Sequence, residues 1–216
     1  MDSILPTSRQ KPIHETRTVN RAYKVRLYPT HSQRVMLDKT LGCCWFLWNH
    51  MLNERIETYH QLKDQKEKLR THKYKTEKAY KKQFSFLKEV DSKALQSSTN
   101  NLLKAFQNFF RELKTSRKVG YPKFKSRKTL QSYTTYNINN NIKIDFQMKR
   151  IKLPKIKTWI KYRDDRMFNE PIKQVTLSKT KSGKYYLSIL IEKRVLIPPK
   201  TRITIDKIQA FDMSFS

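Results

Sequence analysis

The sequence predicts an α+β protein in which a small β-barrel is interrupted by a block of helices. Three observations indicate this class. Residues 22–28 alternate like a strand, two later stretches carry apolar residues at helical spacing, and six short β-rich runs follow residue 118. Because the helical stretches lie between the first strand and the others, we expect them to form an insert within the sheet-forming part.

The first element is a strand over residues 22–28. Apolar and basic residues alternate along it, so that one side faces the core and the other carries Lys24 and Arg26. Pro29 ends the strand, since proline cannot donate a ladder hydrogen bond. Lys24 and Arg26 could bind phosphate, although simple exposure to solvent explains them equally well.

Two long helices follow the first strand. Thr30 and Gln33 have capping-box spacing, and apolar residues at steps of three and four then predict a helix over residues 32–62. Gly42 within this helix indicates close packing against another element. A second helix begins near Asp91, and we expect the two helices to pack as an antiparallel pair.

The chain after residue 118 predicts short strands. A Lys-Ser-Gly-Lys turn at 181–184 joins the last two as a hairpin. Together with the first strand, they suggest a small barrel or a sandwich. The predicted strands are 133–138, 142–146, 150–153, 159–163, 172–178 and 185–192.

Composition excludes several classes of protein. No apolar run of 18 residues occurs, which excludes a membrane span, and the first residues do not resemble a secretion signal. The adjacent Cys43 and Cys44 are half the ligands of a structural zinc site, and three glycines argue against phosphate-binding glycine loops. With 47 Lys+Arg against 18 Asp+Glu, the net charge of +29 requires an anionic partner, of which nucleic acid is the first candidate.

The strongest local candidate for nucleic-acid contact is the segment 118–128. It lies within residues 113–163, which hold 15 basic residues and a single acidic one, Asp145. Basic side chains neutralise phosphates, and aromatic rings stack on unpaired bases. In the alternative interpretation, this is a solvated loop whose aromatic rings turn into the core. The candidate residues are Lys118, Tyr121, Lys123, Phe124, Lys125, Arg127 and Lys128.

Three polar or aromatic side chains of the first long helix have a simpler explanation. Trp45 and Trp48 lie on its apolar stripe and are predicted to pack in the core. The neighbouring Asn49 could face a ligand, although a single helical asparagine is more often merely exposed.

Asp212 is the one candidate for catalysis. It follows the apolar run 208–211, and a carboxylate at a strand end is how a metal-dependent nuclease can present an acidic ligand. Two-metal cleavage needs several clustered carboxylates, so an isolated aspartate usually has no such role.

Six motifs identify a family resemblance. They occur in the order seen in transposon-encoded TnpB (OrfB) proteins, the insertion-sequence relatives of type V CRISPR nucleases. The chain resembles this family over roughly residues 19–216. The motifs are YKVRLYPTHSQ, GCCWFLWNHMLNER, FLKEVDSKALQSSTNNLLKAFQNFFR, GYPKFKSRK, VTLSKTKSGKYYLSILIE and AFDMSFS.

The resemblance implies a domain arrangement and an activity. After a mobile tail at 1–17, residues 18–30 and 119–197 would form a wedge-like barrel, interrupted by a helical recognition-like insert at 31–118. Residues 198–216 would be a linker and the first strand of a truncated RuvC-like, RNase H-like nuclease domain. The implied activity is RNA-guided DNA cleavage in a prokaryotic cytoplasm, at the nucleoid. Its partners would be a guide RNA and double-stranded DNA, with no membrane; the oligomeric state stays open.

The resemblance also gives Asp212 the role of the first catalytic aspartate, a ligand of Mg²⁺. The family's later carboxylates and its four-cysteine zinc element have no counterpart here. We therefore expect the chain to be catalytically incomplete, to need no cofactor by itself and not to cut DNA alone. The alternative is a standalone DNA-binding regulator of the transposon that does not cleave.

Overall fold

The computed structural model describes residues 16–115, 120–126 and 131–197. Residues Asn20–Glu192 form one compact unit, and the fold and sites below belong to it. The other unit combines Met1–Val19 with Lys193–Ser216; its described residues 16–19 and 193–196 are extended. Residues 1–15 of the predicted tail (1–17) and the predicted nuclease-domain strand lie outside the described residues, whereas residues 16 and 17 belong to a strand.

Seven strands form one sheet in the order β2-β6-β7-β1-β5-β4-β3, curled as a half-barrel with β2 and β3 at its two ends. The pairs β1–β5, β2–β6, β3–β4, β4–β5 and β6–β7 are antiparallel. All six predicted strands after residue 118 are present, and the α+β class is confirmed. The strands are β1 Thr16–Tyr28, β2 Gln131–Tyr136, β3 Lys143–Asp145, β4 Arg150–Lys152, β5 Ile160–Arg163, β6 Ile172–Lys179 and β7 Tyr185–Leu196.

The helices lie between β1 and β2 along the chain. Gln33 Oε1 accepts from the Thr30 backbone N–H at 2.9 Å, and an Asp91 carboxylate oxygen accepts from the Lys93 backbone N–H at 3.0 Å. These caps satisfy backbone donors at the two helix starts, which lie within a residue of the predicted positions. The helices are α1 His31–Leu62, α2 Lys66–Thr71, α3 Glu77–Gln83 and α4 Ser92–Leu113, with a 3₁₀ turn at Ser85–Lys88.

The two long helices run in the same direction, so the expected antiparallel pair is wrong. Lys39, early in α1, pairs with Glu89 just before α4, whereas Arg55, late in α1, contacts the ring of Phe106 late in α4. The reason is the connector, residues 63–91 between the two long helices: its helix α3 returns along α1, where the Tyr80 hydroxyl donates to Glu54 at 2.9 Å. The chain therefore runs back along α1 before α4 begins, and α4 then runs in the same direction as α1.

The core lies between the inner face of the sheet and the helices α1 and α4. Polar contacts also join these layers. Asp38 on α1 accepts hydrogen bonds from Lys179 on β6 and Tyr185 on β7, and Asp91 accepts one from Thr135 on β2. The packing role expected for Gly42 is wrong, because Gly42 is exposed and nothing lies within 4 Å of the position that its Cβ would take.

Among the described residues, no helix is long and apolar enough to cross a membrane.

Candidate nucleic-acid interface

The segment 120–126 is fixed to helix α1 by hydrogen bonds. The Asn49 Nδ2 group donates to the carbonyl oxygen of Lys125 at 2.9 Å, and the Lys125 backbone N–H donates to Asn49 Oδ1 at 2.8 Å. From the preceding helix residue, the indole N–H of Trp48 donates to the carbonyl oxygen of Lys123 at 3.0 Å. Three side-chain hydrogen bonds thus hold a segment without helix or strand in one position, which lowers the entropy cost of binding a ligand there.

Lys125 faces the helix rather than open solvent. Its Nζ lies 4.1 Å from the centroid of the Trp48 ring, a cation–π contact. Burial lowers the pKa of Lys125 from its ordinary value, although the nearby Cys44 thiol acts in the opposite direction. This position suits Lys125 to hold the segment on α1, and its predicted contact with nucleic acid stays a prediction.

The other described candidates of this segment point outward to different degrees. Phe124 is 50% exposed and Lys123 is exposed, so neither belongs to the core. Tyr121 is 40% exposed and packs edge-on against Phe106 and Phe109, with ring centroids 5.4 and 5.3 Å away. Phe124 is therefore the aromatic ring of this segment that is most available for stacking, while Tyr121 has one side occupied.

Lys24 and Arg26 lie on the outer side of β1, as predicted. Val25 and Leu27, which alternate with them along the strand, are buried, whereas Lys24 is exposed and Arg26 is half-buried. The Arg26 guanidinium carbon lies 4.9 Å from the ring centroid of Tyr28. Both side chains thus reach solvent beside neighbouring groups of the same sheet face.

The register of the sheet creates a larger basic surface than the sequence indicates. In three places, two cations stand directly opposite each other on adjacent strands. Residues directly opposite across strands share a face, and so do residues two apart along a strand, so all six cations project from one side. We call this surface the basic face; its pairs are Arg26 with Arg163, Arg150 with Lys161, and Lys143 with Lys152.

Within the described residues, a single carboxylate lies among these cations on the basic face. Asp145 stands opposite Arg150 and accepts a hydrogen bond from its Nε at 3.0 Å. A backbone N–H bond from Met148, together with this contact to Arg150, lowers the pKa of Asp145. Like charges directly opposite each other destabilise a sheet by roughly 0.2–1 kcal/mol per pair. The basic face therefore weakens the isolated fold and is suited to a polyanion.

Sequence reasoning missed two parts of this interface. For Asn49 the sequence leaves open a ligand contact and favours simple exposure, yet the side chain binds the backbone of the segment 120–126; a separation of 76 residues from Lys125 gives no measure of their distance in space. The sequence does not single out the five cations of the basic face other than Arg26, because their pairing depends on strand register. Only the excess of basic residues between 113 and 163 pointed to them.

Four predicted site residues lie outside the described residues: Lys118, Arg127, Lys128 and Asp212. Among the residues that the structure does describe, no group of three or more His, Cys, Asp and Glu side chains could hold a metal ion.

Comparison with known proteins gives two kinds of match. The family model of the OrfB/IS605 helix-turn-helix domain matches residues 18–64. A putative RNA-guided DNA endonuclease of Streptomyces pristinaespiralis is 28% identical over 185 residues, and the putative RNA-guided DNA endonuclease InsQ of Escherichia coli (strain K12) is 29% identical over 177 residues. The alignments cover 85% and 82% of this chain, which spans only 44% and 42% of the two relatives.

The matched residues 18–64 do not form two helices joined by a turn. They contain most of strand β1 and the single uninterrupted helix α1. The name of the family model therefore does not describe the local geometry in this chain.

Proposed function

We propose that this chain binds nucleic acid as part of an RNA-guided DNA endonuclease. Its likeness to the transposon-encoded TnpB (OrfB) family is confirmed by the family model and by both relatives. Its ligands would be a guide RNA and double-stranded DNA. The function proposed for the described residues is binding, because their paired cations suit a polyanion.

The basic face is the observation that carries this proposal. Three pairs of like charges stand opposite each other across strands, and Asp145 is the one described carboxylate beside them. The acids of the neighbouring loop already have partners of their own: Asp164 pairs with Arg166, and Asp165 with Lys149. Phosphate groups would remove the repulsion between the six cations and release counterions, which is the main driving force of protein–nucleic acid association.

The docked segment 120–126 adds a second kind of contact. Phe124 is half exposed beside Lys123, and the backbone of both its neighbours is already fixed by α1. An aromatic ring next to a cation can stack on an unpaired base while the cation binds its phosphate. A single-stranded region of RNA suits this arrangement, because its bases are free to stack.

A salt titration tests the proposal. Fluorescence anisotropy with a labelled structured RNA, and separately with a labelled DNA duplex, measures the dissociation constant between 50 and 200 mM salt. If six to ten phosphates are contacted, affinity falls by roughly 10³–10⁵ over this range. A flat response would contradict binding through the basic face.

Footprinting then separates the proposed function from that of a standalone regulator. We expect sequence-specific protection of DNA only when the RNA made from the transposon end is present. Sequence-specific protection by the protein alone would favour the regulator instead.

A further inference from the structure

A cavity of about 740 Å³ lies between α1, α4, the connector and the segment 120–126. Its volume lies in the range of sites that bind small molecules and cofactors. Among the described residues, no carboxylate lines it. We call it the aromatic pocket; its principal lining residues are Arg55, Tyr74, Phe106, Phe109, Phe110 and Tyr121.

Arg55 is held in this pocket between two rings. Its guanidinium carbon lies 4.1 Å from the ring centroid of Tyr74 and 4.9 Å from that of Phe106. Its Nε atom is buried and has no hydrogen-bond partner among the described residues. A buried hydrogen-bond donor without a partner costs free energy. The planar guanidinium group of Arg55 in this position therefore points to a ligand that can accept hydrogen bonds.

We propose that the aromatic pocket holds one unstacked nucleobase of the bound nucleic acid, stacked on its rings, with Arg55 donating to the edge of the base. This inference rests on the proposed function, since it assigns a place to one base of the same ligand. The exposed rings support it: Phe110 is 57% exposed and Tyr121 is 40% exposed.

Charge favours a base over an aromatic side chain of another protein. The chain carries a net charge of +29, and among the described residues the only Lys, Arg, His, Asp or Glu side chains that line the pocket are Arg55 and His60. Tyr121 of the segment 120–126 lines the pocket, and the exposed cation Lys123 follows it two residues later in the chain.

Two decanucleotides of equal charge test this assignment. One is single-stranded DNA of mixed sequence, and the other has an abasic sugar at every position, so that the electrostatic contribution to binding is the same. We expect the full chain to bind the intact strand about tenfold more tightly, as base–aromatic stacking allows. In Phe110→Ala and Arg55→Lys, the ratio of the affinity for the intact strand to the affinity for the abasic strand should fall at least threefold. The salt dependence of binding should stay unchanged.

Matched substitutions outside the pocket serve as controls. Leu103→Ala shortens a side chain of α4 that is 38% exposed and does not line the pocket, and Arg111→Lys replaces an exposed arginine of the same helix. Both should keep the wild-type ratio. Because Phe110 is mostly exposed, Phe110→Ala keeps a folded core, which circular dichroism verifies.

Each contrary result has a separate meaning. Equal binding of both strands with a steep salt response would overturn the aromatic pocket as a base site and leave the proposed function standing. Absence of binding at 50 mM salt would contradict the proposed function itself. If N-acetyltryptophanamide binds the wild type but not Phe110→Ala, while the ratio is the same in both, the occupant is an aromatic protein side chain and the proposal is overturned.

Discussion

Asn49 and Lys125 are joined by two hydrogen bonds that run in opposite directions, amide to carbonyl at 2.9 Å and backbone N–H to amide oxygen at 2.8 Å. Only an asparagine or a glutamine side chain offers both a donor and an acceptor in this planar form. Asn49 thus binds the backbone of the segment 120–126 as a neighbouring strand would.

The substitution Asn49→Ala should release this segment. It removes two part-buried hydrogen bonds, so the free energy of unfolding should fall by about 1–3 kcal/mol in urea titrations. Affinity for single-stranded RNA should fall as well, since Lys123 and Phe124 are no longer held in place.

The matched control is Asn53→Ala, one helical turn later. Asn53 is exposed, and within the described part of the chain its side chain bonds only to Glu57, at 2.7 Å, so its removal should change the free energy of unfolding by less than about 0.5 kcal/mol. Equal urea midpoints for the two variants would contradict the role of Asn49.

The double substitution Arg26→Gln, Arg163→Gln separates stability from binding. Removing two like charges that stand opposite each other should leave the free energy of unfolding unchanged or raise it by about 0.2–1 kcal/mol at low salt. The affinity for duplex DNA should nevertheless fall. The slope of log affinity against log salt should decrease by about 0.9 for each phosphate that the variant no longer neutralises.

Lys173→Gln is the control for this pair, because Lys173 already has a partner in Glu192, 2.9 Å away. It should leave the salt slope at the wild-type value. A double variant that is less stable and keeps the full slope would show that the basic face is structural.

Buried tyrosines should make the fold sensitive to alkali. Burial raises the pKa of Tyr133, and the same effect, with a hydrogen bond to Glu54, raises that of Tyr80. In the unfolded chain, tyrosine loses its proton near pH 10, so the folded state then binds more protons. Stability is therefore fully present below about pH 10 and falls as the pH rises above it.

Urea titrations from pH 8 to pH 11 measure this loss. Tyr133→Phe should lose less stability above pH 10 than the wild type, and Tyr59→Phe, at a position that is 55% exposed, should lose as much as the wild type. A steeper loss in Tyr133→Phe would contradict the assignment.

Neither cysteine should react while the chain is folded. Cys43 and Cys44 are buried, and burial raises the pKa of both thiols, which keeps the reactive thiolate scarce. We expect Ellman's reagent to modify them only as fast as the protein unfolds. Ser182→Cys, in the exposed turn of the β6–β7 hairpin, should react at once, and equally fast reaction of the native thiols would refute their burial.

The elements with local signals could be predicted closely from the sequence. Pro29 marks the end of β1, Gln33 caps α1, and Gly183 takes a φ of 74° in the predicted hairpin turn, where glycine has no steric penalty. These features depend on residues only a few positions apart. For that reason, helix and strand positions agree with the structure.

Features that depend on distant pairs could not be predicted. The direction of α4 relative to α1 follows from the contact between Glu54 and Tyr80, which needs α3 to return along α1. The basic face follows from register, since a shift of one residue would turn Arg163 away from Arg26. Neither relationship produces a periodic pattern in the amino-acid sequence from which it could be predicted.

Helix α1 sets a fixed spacing between the two proposed contact regions. Near its start, the Gln33 side chain donates to Thr158 at 2.7 Å and to the Trp159 carbonyl at 3.0 Å, beside strand β5 of the basic face. Arg55 lies 22 residues later, about 33 Å along a rigid helix. A nucleic acid strand with stacked bases advances about 3.4 Å per nucleotide. Roughly ten nucleotides therefore separate a phosphate bound at the basic face from a base bound in the aromatic pocket. The length of helix α1 sets this number of nucleotides.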